Sequence, residues 1–372
     1  MNFEFAEEQM MLRDQARNLL TDHCPPAVVR RVLDTDEQYA ADLWRTMAEM
    51  GWTATVIPED FGGIGLSYLE LVVIAEELGR ACAPVPFSSS VYLATEALLM
   101  AGSKSQKDTW LPKLAAGEII ATFAYAEGGG QQSAERLETK VTRDTITGTK
   151  PVVADAEIAQ LVIVVAADKS GDGASLYLVP LDQSGVGIEP VATVDPTRPH
   201  AHVTFDQASA ELLGRRGQGW SMLQKLLDRA AVLVAWEQLG GSEACLEMAK
   251  EYAMGRYAFG RPIASYQAIK HKLADMYVKN TLARSNAYYG AWALNTNATE
   301  LPLAAATARV GSSQAYYYAS KENIQTHGGM GYTWEFDCQF YYRRSKLLAV
   351  NIGSEIAWQE KLIAATEQGR AA

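Results

Sequence analysis

Two stretches in the C-terminal half of the chain bring together residue types that can hold an anionic ligand. The first runs Tyr252-Ala253-Met254-Gly255-Arg256-Tyr257-Ala258-Phe259-Gly260-Arg261-Pro262-Ile263 and is followed by Gln267. An arginine on a long helix, a break at Phe259-Gly260-Arg261-Pro262 and then a fresh helix build a corner. Such a corner presents a guanidinium and new helix N–H groups, which is how a pyrophosphate is held. The second runs Gln325-Thr326-His327-Gly328-Gly329-Met330-Gly331-Tyr332-Thr333-Trp334-Glu335. Here a helix stops on paired glycines, which lets backbone come close to a ligand. Taken alone, each stretch also reads as ordinary helix punctuation. Other chemistries have less to stand on. Gly63-Ile64-Gly65 and Gly329-Met330-Gly331 lack the third glycine and the strand–turn–helix setting of a dinucleotide fingerprint, and no phosphate-binding Walker loop occurs. Of the histidines only His200 and His202 are close, on one face of a strand with no third ligand nearby. They read as edge-strand residues, and no metal is expected.

The elements that must position these groups show in the changing texture of the chain. Residues 1–118 are helical: Glu7 to Leu20 and Asp42 to Met50 are amphipathic, and Tyr68 to Arg80 places Leu69, Val72, Val73, Ala75 and Leu78 on one stripe. Gly51 and Gly79 sit where helices usually end, and Pro58 with Gly62-Gly63 marks a turn. From 119 to 218 the texture is β. Ile119 to Tyr125, Leu161 to Val165, Ser175 to Leu181 and His202 to Phe205 are short apolar runs, separated by turns such as Gly171-Asp172-Gly173. No helix of 10–15 residues intervenes, which favours an antiparallel barrel or sandwich over a parallel sheet. From 219 to 372 helices return at Met222–Tyr252, Tyr266–Asn295, Leu301–Gly328 and Gln339–Gln368. The expected fold is α+β but mostly α, with an N-terminal helical domain, a middle β domain and a C-terminal four-helix bundle.

Composition sets the outer bounds. With 372 residues, 48% apolar and 21% charged, the chain can bury a large core and is not of disordered type. Its net charge of -11 argues against binding nucleic acid or an anionic membrane surface. Cys24, Cys82, Cys245 and Cys338 are scattered, as expected of buried, reduced thiols in a cytoplasmic protein. The N-terminus carries carboxylates where a signal peptide would carry Lys or Arg, and no apolar stretch approaches the ~20 residues of a membrane helix.

These two blocks, with Pro58-Glu59-Asp60-Phe61-Gly62-Gly63-Ile64-Gly65-Leu66-Ser67-Tyr68-Leu69-Glu70, resemble the acyl-CoA dehydrogenase family. The similarity runs from Phe3-Glu4-Phe5-Ala6-Glu7-Glu8-Gln9 to Ile352-Gly353. The resemblance implies a FAD enzyme of lipid metabolism that desaturates an acyl-CoA thioester. A carboxylate removes the α-proton, flavin N5 accepts the β-hydride, and an electron-transfer flavoprotein takes the electrons. It also implies a tetramer, or dimer of dimers, in which each FAD lies across a subunit interface. Carried over residue by residue, it assigns Arg256, Phe259, Gln267, Gln325, Gly328 and Gly329 to the ADP half of a FAD whose ring sits mainly in the neighbouring subunit.

Elsewhere the sequence departs from the family pattern. Where Thr-Glu-Pro-x-x-Gly-Ser-Asp would meet the flavin ring, this chain has Ala126-Glu127-Gly128-Gly129-Gly130-Gln131-Gln132-Ser133. Where Lys-x-Trp-Ile-Thr would cover it, Lys150 is followed by Pro151-Val152-Val153-Ala154. The indole and hydroxyl are gone, and Val and Ala replace neither. Laying the family's final Arg-Asp-Ala-Lys on Arg343-Arg344-Ser345-Lys346 puts Ile352 at the position of the catalytic Glu; the alternative base position, ten residues before Gly240, is Ala230. Neither accepts a proton, so no catalytic residue is assigned. Two arrangements follow from the resemblance. The chain is the base-lacking subunit of a hetero-oligomer, working with a second acyl-CoA dehydrogenase-like subunit. Or it is a self-sufficient homo-oligomer whose base is Glu237, two helical turns beyond Ala230, or Asp228. A flavin-free structural subunit, and a flavin-dependent oxygenase on the same fold, are readings from other classes.

Overall fold

The computed structural model describes residues 5–130, 132–168 and 173–371. Gln131, Phe3 and Glu4 of the motifs above, and Gly171-Asp172 of the expected turn, lie outside the described residues. The chain forms two compact units, one of residues up to 31, 68–83 and 231 onward, the other of residues 32–67 and 84–230.

The N-terminal third is helical: α1 (Glu7–His23), α2 (Pro26–Asp34), α3 (Ala41–Glu49), α4 (Tyr68–Arg80), α5 (Glu96–Ala101) and α6 (Lys104–Ala115), with a π-helical stretch at Ser88–Thr95. Gly51 follows α3 with φ of +77°, a left-handed end that glycine adopts without strain. Gly79 has a different role, because α4 continues to Arg80. A Cβ on Gly79 would stand 1.8 Å from the Glu237 carbonyl oxygen, and one on Gly240 would stand 1.8 Å from the Glu76 carbonyl oxygen. The backbones touch there. α4 is also buried on all sides from Leu71 to Gly79, including Glu76 and Glu77, rather than along one stripe.

The strands are β1 (Ala121–Ala124), β2 (Lys140–Thr142), β3 (Thr145–Ala154), β4 (Leu161–Asp168), β5 (Ala174–Pro180), β6 (Val186–Pro190), β7 (His200–Ser209) and β8 (Glu211–Leu213). Among the described residues they make one sheet in the order β6-β7-β3-β2-β4-β5-β8, with β1 also on β4. Most pairs are antiparallel, but β1 and β2 run parallel to β4. The run Leu161–Val165 is fully buried, as continuous apolar strands are when both faces are covered. β7 lies between β6 and β3, so His200 and His202 are not on an edge; His200 is buried, its Nδ1 2.9 Å from the Arg198 carbonyl. β2 and β3 escaped the pattern because Lys, Thr, Gly148 and Pro151 dilute the apolar alternation and the register shifts at two points.

The C-terminal helices are α7 (Gly219–Gly255), α8 (Gln267–Asn295), α9 (Leu301–His327), α10 (Cys338–Leu348) and α11 (Glu355–Ala371), with a small hairpin of β9 (Tyr257–Ala258) and β10 (Arg261–Pro262) after α7. The single helix expected over Gln339–Gln368 breaks into α10 and α11. Gly353 has φ of +109°, Trp358 Nε1 donates to the Ile352 carbonyl, and the buried Arg309 donates to the Leu348 carbonyl and to Asn351 Oδ1. Helix α10 therefore ends against a guanidinium from α9, a contact far away in sequence. All four cysteines are buried and none is in a disulfide among the described residues. Among the described residues no helix is long and apolar enough to cross a membrane.

Gly79→Ala or Gly240→Ala inserts a methyl group into backbone contact. Each substitution is expected to destabilise the protein by about 3 kcal/mol or more, read from the midpoint of urea unfolding. An unchanged midpoint would mean that the crossing opens freely.

Candidate functional site

The corner expected from the first block is a two-residue hairpin. α7 runs to Gly255, the Arg256 amide still donates to the Tyr252 carbonyl, and the Arg256 side chain is exposed. The turn is Phe259-Gly260, with φ of +51° and +78°, and Phe259 is 98% exposed. Gln267 opens α8 and is also exposed.

The second block ends α9 at His327. Gly328 takes φ of +62°, a conformation suited to glycine, and Gln325, Gly328 and Gly329 are exposed. A Cβ built on Gly328 or Gly329 would meet nothing within 4 Å, so an incoming ligand can approach this backbone closely.

Two residues that sequence reasoning passed over join the blocks. The Tyr252 ring stacks on His327 at 4.1 Å between centroids, and its Oη lies 3.5 Å from Met330 Sδ. His327 is buried, with Nδ1 2.9 Å from the Asn323 carbonyl. Burial lowers its pKa, outweighing that hydrogen bond, so the imidazole is neutral at pH 7 and stacks without a charge to solvate. The stack sets the last turn of α7 beside the last turn of α9. Arg256 and Gly328-Gly329, 72 positions apart in sequence between Arg256 and Gly328, thus leave neighbouring helix ends. An aromatic one turn before Arg256 and a histidine just before the glycine pair were the only hints. An exposed guanidinium, an exposed ring and open glycine backbone fit the ADP half of a dinucleotide.

The opposite holds for the groups expected at a flavin ring. Glu127 and Lys150 form a buried ion pair at 2.6 Å, and Lys150 also donates to the Tyr125 carbonyl at 3.2 Å. Glu127 accepts the amides of Glu138 at 2.5 Å and Thr139 at 3.2 Å, while Gln132 donates to the carbonyls of Gly128 and Gly130. The loop scaffold is therefore tied down. Burial pushes the Lys150 ammonium down to about 8 against the attraction of Glu127. At Glu127 burial acts upward, but Lys150 and the amide donors outweigh it and hold the carboxyl below its usual value. Val152, where the family carries Trp, is 53% exposed and offers neither a flat ring nor a donor; Ala154 offers no hydroxyl. These positions do not fit a flavin ring.

The candidate base positions are closed. Ile352 is buried beside Trp358, and Ala230 is fully buried. Glu237 is fully buried with Oε1 3.7 Å from Nη1 of the equally buried Arg344, which also donates to the Ala83 and Cys82 carbonyls. Asp228 is buried in the first turns of α7, next to Arg229, which is bonded to Glu96. Among the described residues no group of three or more His, Cys, Asp or Glu is placed to hold a metal ion.

Models of the acyl-CoA dehydrogenase N-terminal and C-terminal domains match residues 6–118 and 217–366. The chain is 32% identical over 340 residues to the acyl-CoA dehydrogenase IpdE2 of Mycobacterium tuberculosis, covering 91% of each. It belongs to the acyl-CoA dehydrogenase family. Members of this family are FAD-dependent oxidoreductases acting on acyl-CoA thioesters in lipid metabolism. The chain is also 29% identical over 372 residues to the mitochondrial short-chain specific acyl-CoA dehydrogenase of Sus scrofa, covering 94% of this chain and 88% of that one. Among solved structures, a chain of the ChsE4–ChsE5 complex from Mycobacterium tuberculosis superimposes with a TM-score of 0.89 at 26% identity, over 99% of both chains.

Within this acyl-CoA dehydrogenase, Glu127→Gln leaves Lys150 buried without its counter-charge. The expected cost is about 3–5 kcal/mol, measured by denaturant unfolding. The pH dependence has a defined sign. Between about pH 8 and 10.5 the unfolded lysine keeps its proton while the folded one has lost it, so stability gains as pH rises through that window. Relative to Lys150→Met, the parent protein is expected to gain stability between pH 8 and pH 10, and unfolding curves at the two pH values check this.

Proposed function

We propose that this chain is the base-lacking subunit of a hetero-oligomeric acyl-CoA dehydrogenase. It lends the ADP-binding corner, Arg256, Phe259, Gln267, Gln325, Gly328 and Gly329, to a FAD whose ring is held by a second acyl-CoA dehydrogenase-like subunit. The observation that carries the reading is a split within one chain. The corner is exposed and open, whereas both base positions are buried apolar residues and the ring-facing positions are Val152 and Ala154. Glu237 is a poor substitute base, since it and its neighbour Arg344 are both sealed from solvent. The likeness to a chain of the ChsE4–ChsE5 complex supports a heteromeric arrangement. An electron-transfer flavoprotein would accept the electrons, in the cytoplasm, where four buried thiols stay reduced.

FAD, when bound, supplies the hydride acceptor. The residues of this chain have other tasks: Arg256 neutralises pyrophosphate charge, Phe259 covers an apolar face, and Gly328-Gly329 admit the ligand against backbone. The partner subunit supplies the α-proton acceptor.

The test is to purify the chain alone and after co-expression with an acyl-CoA dehydrogenase-like partner, recording flavin absorbance and acyl-CoA-dependent dye reduction. The chain alone is expected to be colourless and inactive, and the co-expressed assembly yellow and active. Arg256→Gln should lower the FAD content of that assembly. A yellow homo-oligomer that turns over acyl-CoA by itself would overturn the proposal and restore Glu237 or Asp228 as candidate bases.

A further inference from the structure

We infer that Tyr266 and Arg261 are positioning residues that hold the Phe259 hairpin in its ligand-ready shape. The inference rests on the proposed role of Arg256 and Phe259 at the ADP half of FAD. The hairpin has only two residues in each strand, with Arg261 opposite Ala258 and Pro262 opposite Tyr257. Isolated hairpins of this size are not stable in water. Its turn also carries a cost. Both central residues have positive φ, a turn that favours Asn-Gly or Gly-Gly, yet the first is Phe259. An aromatic residue in the left-handed region is disfavoured, and Phe259, almost wholly exposed, regains little from its own chain. Something else must hold the turn.

Tyr266 is placed to do so. Its backbone precedes α8, and its half-buried ring reaches back so that Oη donates to the Ala258 carbonyl at 2.9 Å, directly before the turn. The Arg261 guanidinium, directly after the turn, lies 4.0 Å over the centre of the same ring. One aromatic side chain therefore grips both sides of the turn, by a hydrogen bond on one side and a cation–π contact on the other. The base of the loop is closed by the Ile263 amide on the Arg256 carbonyl at 2.8 Å and by Ser265 Oγ on the Pro262 carbonyl at 2.7 Å. The Arg256 backbone is thus part of the same clamp. With its charge on Tyr266, Arg261 acts through the hairpin rather than as the phosphate ligand.

The experiment uses the co-expressed assembly stripped of flavin, with FAD itself as the probe. Flavin fluorescence gives Kd, and thermal melting of the flavin-free assembly reports folding. Tyr266→Phe and Arg261→Met are each expected to raise Kd about fivefold to tenfold, the worth of one hydrogen bond or cation–π contact, with the melting temperature of the flavin-free assembly unchanged. Arg261→Lys, which keeps a cation over the ring, should recover much of the loss. The double variant should be little worse than the worse single variant, because both contacts serve one clamp. The inference fails if Kd is unchanged in both single variants while Arg256→Gln still weakens FAD; the functional reading would then stand without the clamp. It also fails if Arg261→Met acts and Tyr266→Phe does not, which would make Arg261 a direct ligand, or if melting falls with Kd unaltered. If Arg256→Gln itself leaves Kd unchanged, the functional reading is what fails.

Discussion

The contact on which the C-terminal helices depend is the glycine crossing of α4 and α7. Gly79 and Gly240 each face the other helix's carbonyl at a distance no side chain could share, so the two helices meet backbone to backbone. α4 is buried from Leu71 to Gly79, which takes Glu76 and Glu77 inward. Each then has a cation: Glu76 pairs with Arg284, which also holds Glu243 at 2.6 Å, and Glu77 pairs with Arg17 at 2.7 Å. Burial works against the charge of Arg284, yet the two carboxylates outweigh it and keep its pKa above the ordinary value. Glu237 and Arg344, both fully buried with Nη1 3.7 Å from Oε1, belong to this same region.

The same helices carry the candidate site at their far ends. α7 has to continue as helix to Gly255 for Tyr252 to reach His327, and α9 has to stop there for the glycines to be free. Burial ends at this point and exposure begins. Arg256, Phe259, Gln325, Gly328 and Gly329 are exposed, whereas Ile352 and Ala230 are buried.

Much of this was legible in the residues. Long helices were visible from their period, and Phe259-Gly260-Arg261-Pro262 and Gly328-Gly329 marked breaks because glycine and proline act locally on φ and on the N–H donor. The substitutions at Val152, Ala154, Ile352 and Ala230 were also legible, since a missing hydroxyl, indole or carboxylate is a fact of side-chain chemistry. What was hidden lies between elements. The break between α10 and α11 depends on Arg309, some 40 positions earlier, and β2 and β3 are made by partners rather than by their own polar sequences.

By itself, then, the sequence determined the order of helix, sheet and helix, the breaks at Phe259-Gly260 and Gly328-Gly329, and the apolar residues Ile352 and Ala230 at the family's base positions. Each is set by residues within a few positions of one another. Only the tertiary structure decided that Gly79 is a contact and not a cap, that Glu237 lies beside Arg344, and that Tyr252 and His327 join the two blocks. Tyr266's grip on the turn belongs with these. Those outcomes depend on which distant groups share a buried volume, and burial and pairing exist only once the chain has folded.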